Sequence, residues 1–133
     1  GWSKKLPVKF MSAGRADGLL HGTTDHDEII RRLQAFEKAG ADVVYAPGVK
    51  MLDELRRMTS ALKKPFNANM SGLPNATVAQ LGEAGAKRIS TGGGLARAAI
   101  GALLRAGREM QGPGTFTWSK HATSGAEIGK LLG

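Results

Sequence analysis

The 133 residues suffice for one domain burying about two-thirds of its unfolded surface, and 41% hydrophobic with 23% charged residues reads as globular, not disordered. The chain has no cysteine, which excludes disulfides and a cysteine nucleophile; it has no run of ~18 apolar residues to span a membrane and no apolar stretch after Lys4-Lys5 to act as a signal peptide, so a cytoplasmic setting is expected. The net charge of +8 is scattered over Lys4-Lys5, Arg31-Arg32, Arg56-Arg57, Lys63-Lys64 and Lys87-Arg88, with no aromatic interleaved; this reads as solvated helix faces, and it argues against a nucleic-acid platform and is compatible with small anions.

Strand and helix signals alternate four times. Val8 to Ala13 reads as a strand that runs into Gly14-Arg15-Ala16-Asp17. The spacing predicts a helix from Thr24 to Ala39, opened by the overlapping boxes Thr24-x-x-Asp27 and Asp25-x-x-Glu28 and striped by Ile29, Ile30, Leu33 and Phe36. A second strand, Ala41 to Ala46, ends at Pro47-Gly48, and a second helix, Met51 to Leu62, carries Leu52, Leu55, Met58 and Leu62 on one face. Pro65 to Met70 is the third strand. A short helix from Ala76 to Ala84 points Val78 and Leu81 inward, and Ala86 to Thr91 is the fourth strand. Gly92-Gly93-Gly94 then leads into a helix from Leu95 to Met110, whose buried side is expected to be Ile100, Leu103, Leu104 and Met110. Lys38-Ala39-Gly40-Ala41-Asp42 and Glu83-Ala84-Gly85-Ala86-Lys87 repeat one helix-to-strand turn, two units apart.

The expected fold is therefore α/β, with four parallel βα units over residues 1–110 joined by right-handed crossovers. Residues 111–133 form an extension: Gly112-Pro113-Gly114 breaks the helix, Thr115 to Trp118 is extended, and Ser124-x-x-Glu127 opens a last short helix with Ile128, Leu131 and Leu132. The extension is expected to pack on the domain or on a partner chain. Four units do not close a barrel, which needs eight strands in ~250 residues, so one sheet face stays open and invites association.

Gly14-Arg15-Ala16-Asp17, Arg32-Leu33-Gln34-Ala35-Phe36, Ala39 to Gly48, Lys64-Pro65-Phe66-Asn67, Arg88 to Gly92, Leu95-Ala96-Arg97-Ala98-Ala99 and Gly114-Thr115-Phe116-Thr117 occur in an order that resembles the phosphoenolpyruvate mutase and isocitrate lyase superfamily, in its carboxyphosphonoenolpyruvate-mutase-like branch. The resemblance implies half of a TIM (βα)8 barrel, its strands five to eight. It also implies a lyase or isomerase (mutase) acting through an enolate on C–C or P–C bonds of small 2-oxo or 2-hydroxy carboxylates, with Mg²⁺ as cofactor. The family's metal-binding acids and mobile loop belong to the other half, and Tyr45-Ala46-Pro47 stands where many members carry an acid. The chain is thus expected to be inactive alone and to need a homo-oligomer or its missing N-terminal half. The alternative is a non-catalytic fragment or anion-binding module that associates through its open sheet face.

Arg15 matches the family's substrate-contacting arginine, at a strand end where parallel folds keep their chemistry; the bland reading is a pair with Asp17. Asp17 either orients Arg15 or caps the loop. Asn67 and Asn69 share one strand face and offer amides to a carboxylate or carbonyl oxygen; the bland reading is that the pair faces the helices or satisfies backbone. Gly92, Gly93 and Arg97 form either an anion cradle or a tight strand-to-helix turn. His21 is a possible loop contact, or a loop histidine without chemistry, and His26 is expected to be exposed. No metal ligand is assigned.

Overall fold

The computed structural model describes residues 6–8 and 10–133. Lys4-Lys5 and Lys9, the latter inside the expected first strand, lie outside the described residues.

Four short strands form one parallel sheet in the order β1-β2-β3-β4: Ala13–Arg15, Val43–Tyr45, Phe66–Asn69 and Ala86–Ser90. Each of the first three is followed by a helix: α1 (His26–Lys38), α2 (Leu52–Ser60) and α3 (Val78–Glu83). This sequential order of parallel strands bears out the βα reading. The first strand lies further along the chain than expected, and Val8, Phe10 and Met11 are exposed. The reason is pairing. The neighbouring strand begins at Val43, which faces Ala13, and Ser12 is the last residue tied to it, through its carbonyl and through its amide and hydroxyl on the Asp42 carboxylate.

The caps explain where the helices begin. Asp25, not Thr24, caps α1 by accepting from the amides of Asp27 and Glu28. Thr77 and Gln80 form a reciprocal box at α3. The repeated helix-to-strand turns both rest on a left-handed glycine, Gly40 at φ 93° and Gly85 at φ 92°, a conformation other residues adopt with difficulty.

One core lies between the sheet and the helices. Ile29, Leu33, Leu55, Met58 and Leu81 of the helices meet Val44, Phe66 and Ala68 of the sheet. Burying each large side chain contributes about 1.5–3 kcal/mol. Val78 is exposed, contrary to expectation, because it opens a six-residue helix that has room to bury only Leu81.

The described residues fall into two compact units, the first ending at Gly92 and the second running from Gly93 to Gly133. The second contains α4 (Gly94–Gln111), a 3-10 turn at Thr117–His121 and α5 (Gly125–Leu132), which Ser124 caps. Helix α4 thus groups with the tail. Glu109 holds the break after α4 by accepting from the Thr115 hydroxyl and the Thr117 amide. The expected buried side of α4 is exposed at Ile100, Leu103, Leu104 and Met110. Within its own unit, α4 packs on the short turn at 117–121, and Ala106 is the residue of α4 that is buried. Thr115 to Trp118 is likewise not extended throughout, since the turn begins at Thr117.

Candidate functional site

Alternation along the strands decides what the open sheet face presents. Gly14, Val44, Phe66, Ala68 and Ile89 turn toward the helices. Arg15, Tyr45, Asn67, Asn69 and Ser90 therefore stand on the opposite face. Register places Arg15 beside Tyr45, Tyr45 beside Asn67, and Asn69 beside Ser90.

Arg15 is the last residue of β1. Its Nε donates to Asp17 Oδ1 at 2.5 Å, and its guanidinium lies 5.4 Å from the centroid of the Tyr45 ring. The Asp17 hydrogen bond and charge hold the guanidinium even more firmly protonated than usual. Both side chains are about half exposed, at 52% and 43%, so the pair orients Arg15 more than it stabilises the fold. Tyr45 passes the arrangement on: Asn69 Nδ2 donates to its hydroxyl at 2.9 Å. The Asn69 oxygen accepts from the Ser71 amide and hydroxyl, which starts the 3-10 turn at Met70–Gly72. A chain of contacts thus runs from Asp17 through Arg15 and Tyr45 to Asn69.

Asn67 is the one buried polar residue among the described residues, 2% exposed. Its Nδ2 donates to Ser90 Oγ at 2.9 Å and its Oδ1 accepts from Arg88 Nη1 at 2.8 Å. On composition Arg88 reads as part of a solvated helix face, and the structure corrects this. It sits on β4, and a bulge governs its direction. Phe66 faces Ala86 but Asn67 faces Arg88, so Lys87 is the extra residue and Arg88 turns to the face of Asn67. Strict alternation from the buried Ala86 misses this. Counting back from the inward Ile89 finds it.

The remaining candidates are not gathered in. His21 is exposed at the end of the 3-10 turn Gly18–His21, and no hydrogen bond or ion pair joins it to the Arg15–Asn69 chain. His26 is not freely exposed: its Nε2 lies 3.6 Å from Glu54, whose carboxylate also accepts from the amides of Lys50 and Met51. Gly92, at φ 53°, abuts the Asn69 amide, and a Cβ there would lie 3.3 Å from Nδ2. In the second unit, the Arg97 guanidinium folds back over Gly93 in the first turn of α4. A cavity of about 490 Å³ lies away from this face, between Lys50, Met51, Arg56, Leu73 and Gln80. Its arginine is already paired with Asp53.

Among the described residues, no three His, Asp or Glu side chains come together to hold a metal ion. The open face offers guanidinium, amide, phenol and hydroxyl groups. These suit an anion and do not fit Mg²⁺, which takes carboxylate and other oxygen ligands.

The family model for phosphoenolpyruvate phosphomutase matches residues 3–111. A 2-methylisocitrate lyase of Aeropyrum pernix is 31% identical over 110 residues, covering 76% of this chain and 36% of its own. A crystallised Burkholderia cenocepacia protein, provisionally described as a lyase/mutase, superposes with a TM-score of 0.89 at 43% identity, over 98% of this chain and 47% of that one. Phosphonopyruvate hydrolase, solved with oxalate and Mg²⁺, shares the fold with a TM-score of 0.76 at 24% identity, over 98% of this chain and 48% of that one. The chain spans about a third of the curated relatives it matches and about half of these solved structures. The four-stranded sheet is thus a fragment of a TIM-like barrel.

Proposed function

Because the chain belongs to the phosphoenolpyruvate phosphomutase family, we propose that it forms the anion-recognising half of a lyase or mutase site. That site acts on C–C or P–C bonds of small 2-oxo or 2-hydroxy carboxylates through an enolate. The observation that carries this reading is Arg15: a strand-end guanidinium, oriented by Asp17 and resting on Tyr45, above a face of paired amides. A planar guanidinium matches a carboxylate or phosphonate with two parallel hydrogen bonds.

The steps assigned to this chain are binding steps. Arg15 takes the carboxylate, and the polar face orients the rest of the molecule so that the bond to be broken is held in place. The Mg²⁺ requirement of the proposed reaction falls to groups other than the described residues, and no step here runs through it. The open face is completed by a second four-stranded half, either a second copy of this chain or the other half of the family fold. By itself the chain then binds without turnover.

Calorimetric titration with pyruvate and oxaloacetate, without metal, tests the reading. Binding is expected, and Arg15→Ala weakens both ligands about tenfold or more. A native protein that binds neither overturns it. Light scattering tests pairing between copies, which a monomer at working concentration refutes. The donor set, cationic and neutral throughout, also favours a second reading, an anion-binding module without catalysis. Turnover with Mg²⁺ and oxaloacetate or a methylisocitrate-type substrate, abolished by Arg15→Ala, would refute that module.

A further inference from the structure

The two arginines on the open face differ in charge balance. Arg15 is paired with Asp17. Arg88 has a neutral amide, Asn67, as its hydrogen-bond partner, and no carboxylate pairs with it among the described residues. Its anchor is built for holding it. Asn67 is 2% exposed, its nitrogen is engaged by Ser90, and its oxygen faces the guanidinium. The bulge at Lys87 brings Arg88 into line with Asn67. A guanidinium fixed by an amide keeps its full charge and several N–H donors for something else.

The two guanidiniums also flank the same pair of neighbouring strands. Arg15 lies over Tyr45 on β2, and Arg88 bonds to Asn67 on β3. Register lines up Arg15, Tyr45, Asn67 and Arg88 across the four strands, so the two arginines stand three spacings of about 4.8 Å apart at the backbone and their guanidiniums border the strip above β2 and β3. That strip is within the reach of a short molecule with an anionic group at each end.

We propose that Arg88, held by Asn67 and Ser90, is a specificity-determining residue that receives the second anionic group of a dianionic substrate whose first carboxylate binds Arg15. The inference rests on the function proposed above and deepens it: the site selects two-ended over one-ended acids. Asn67 is in this view a positioning residue, with its amide committed to Arg88 and Ser90.

Oxaloacetate and pyruvate differ by one carboxylate and so isolate the Arg88 contact. Titrated calorimetrically without metal, the native chain should bind oxaloacetate more tightly than pyruvate. Arg88→Met should weaken oxaloacetate by about ten- to hundredfold and leave pyruvate within about twofold, whereas Arg15→Ala weakens both. Equal weakening of both ligands by Arg88→Met, or of neither, overturns the inference and leaves the Arg15 reading intact. If the native protein binds neither acid, the function itself falls and the inference with it. Should Arg88→Met melt below the assay temperature, Arg88→Lys decides: a selective loss for oxaloacetate supports the role, and an equal loss or none refutes it.

Discussion

Changing Gly14 to alanine is a sharp test of how β1 is seated. A Cβ at Gly14 would lie 2.5 Å from Phe36 Cβ and 2.8 Å from its Cγ. Ordinary carbon contacts are about 3.5–4.0 Å, so α1 must retreat by roughly 1 Å. Phe36 Cβ is fixed to the helix backbone, and no rotamer relieves the clash. The same helix buries Ile29 and Leu33 completely, so its retreat loosens the core. Overpacking of this kind costs about 1–3 kcal/mol. Gly82 provides the matched control. It lies inside α3, and an added Cβ meets nothing within 4 Å. Alanine there gains roughly 0.5–1 kcal/mol from helix propensity. One substitution therefore has opposite signs at two sites. Urea unfolding followed by circular dichroism should move the midpoint down for Gly14→Ala and up for Gly82→Ala, by on the order of 1 M between them. A Gly14→Ala midpoint at or above that of the native chain would refute the packing argument.

Thr77→Ala removes one side of the reciprocal cap of α3, and about 1 kcal/mol of stability should be lost in the same urea assay; an unchanged midpoint shows the cap to be dispensable. Acid should destabilise the chain. The Asp25 carboxyl is held below its usual range, chiefly by the Glu28 amide, with the Asp27 amide, Arg31 and Arg57 adding to this against some burial. At Glu109 burial acts upward, but the bonds from Thr115 and Thr117 outweigh it and hold that carboxyl low as well. Groups whose folded pKa is depressed contribute fully above the unfolded value and lose that contribution as pH falls through the folded one. The urea midpoint should thus be flat from pH 7 to about 5 and decline below about pH 4; a midpoint that rises with acid contradicts the assignment.

Much of the first unit was legible in the sequence because its signals are local. The stripe of Ile29, Ile30 and Leu33, the glycine turns at Gly40 and Gly85, and the shared face of Asn67 and Asn69 follow from period and from turn chemistry. What escaped depends on partners far along the chain. The start of β1 is set by where β2 begins, 30 residues later. The direction of Arg88 is set by a bulge against β3, which no pattern within Ala86 to Ser90 announces. The apolar stripe of α4 is plain in the sequence, but periodicity says only that a face is apolar, not that the chain itself covers it. At the candidate site, the motif around Arg15 marks it in the sequence, whereas Tyr45 stands out there only by occupying the place of an acid. Its role under Arg15 and beside Asn69 comes from the pairing of three strands distant in the sequence.

The chemistry of the open face limits what can cover it. A sheet face meant for dry packing would carry valine and leucine on alternate positions. This one carries Arg15, Tyr45, Asn67 and Arg88 along one line, with Asn69 and Ser90 on the next. Arg15 has a counter-ion, but Arg88 has none among the described residues. Sealing an unpaired guanidinium against an apolar surface costs several kcal/mol, so a second half-barrel that closes over this face must leave water or an anion within reach of Arg88. Closure would also lower the local dielectric and strengthen each bond that Arg15 and Arg88 make to a bound acid. In the separate half both arginines remain solvated, and a bound acid is held weakly. In the proposed site, uniting the halves would therefore act on recognition as well as on catalysis, by turning two hydrated cations into a selective clamp.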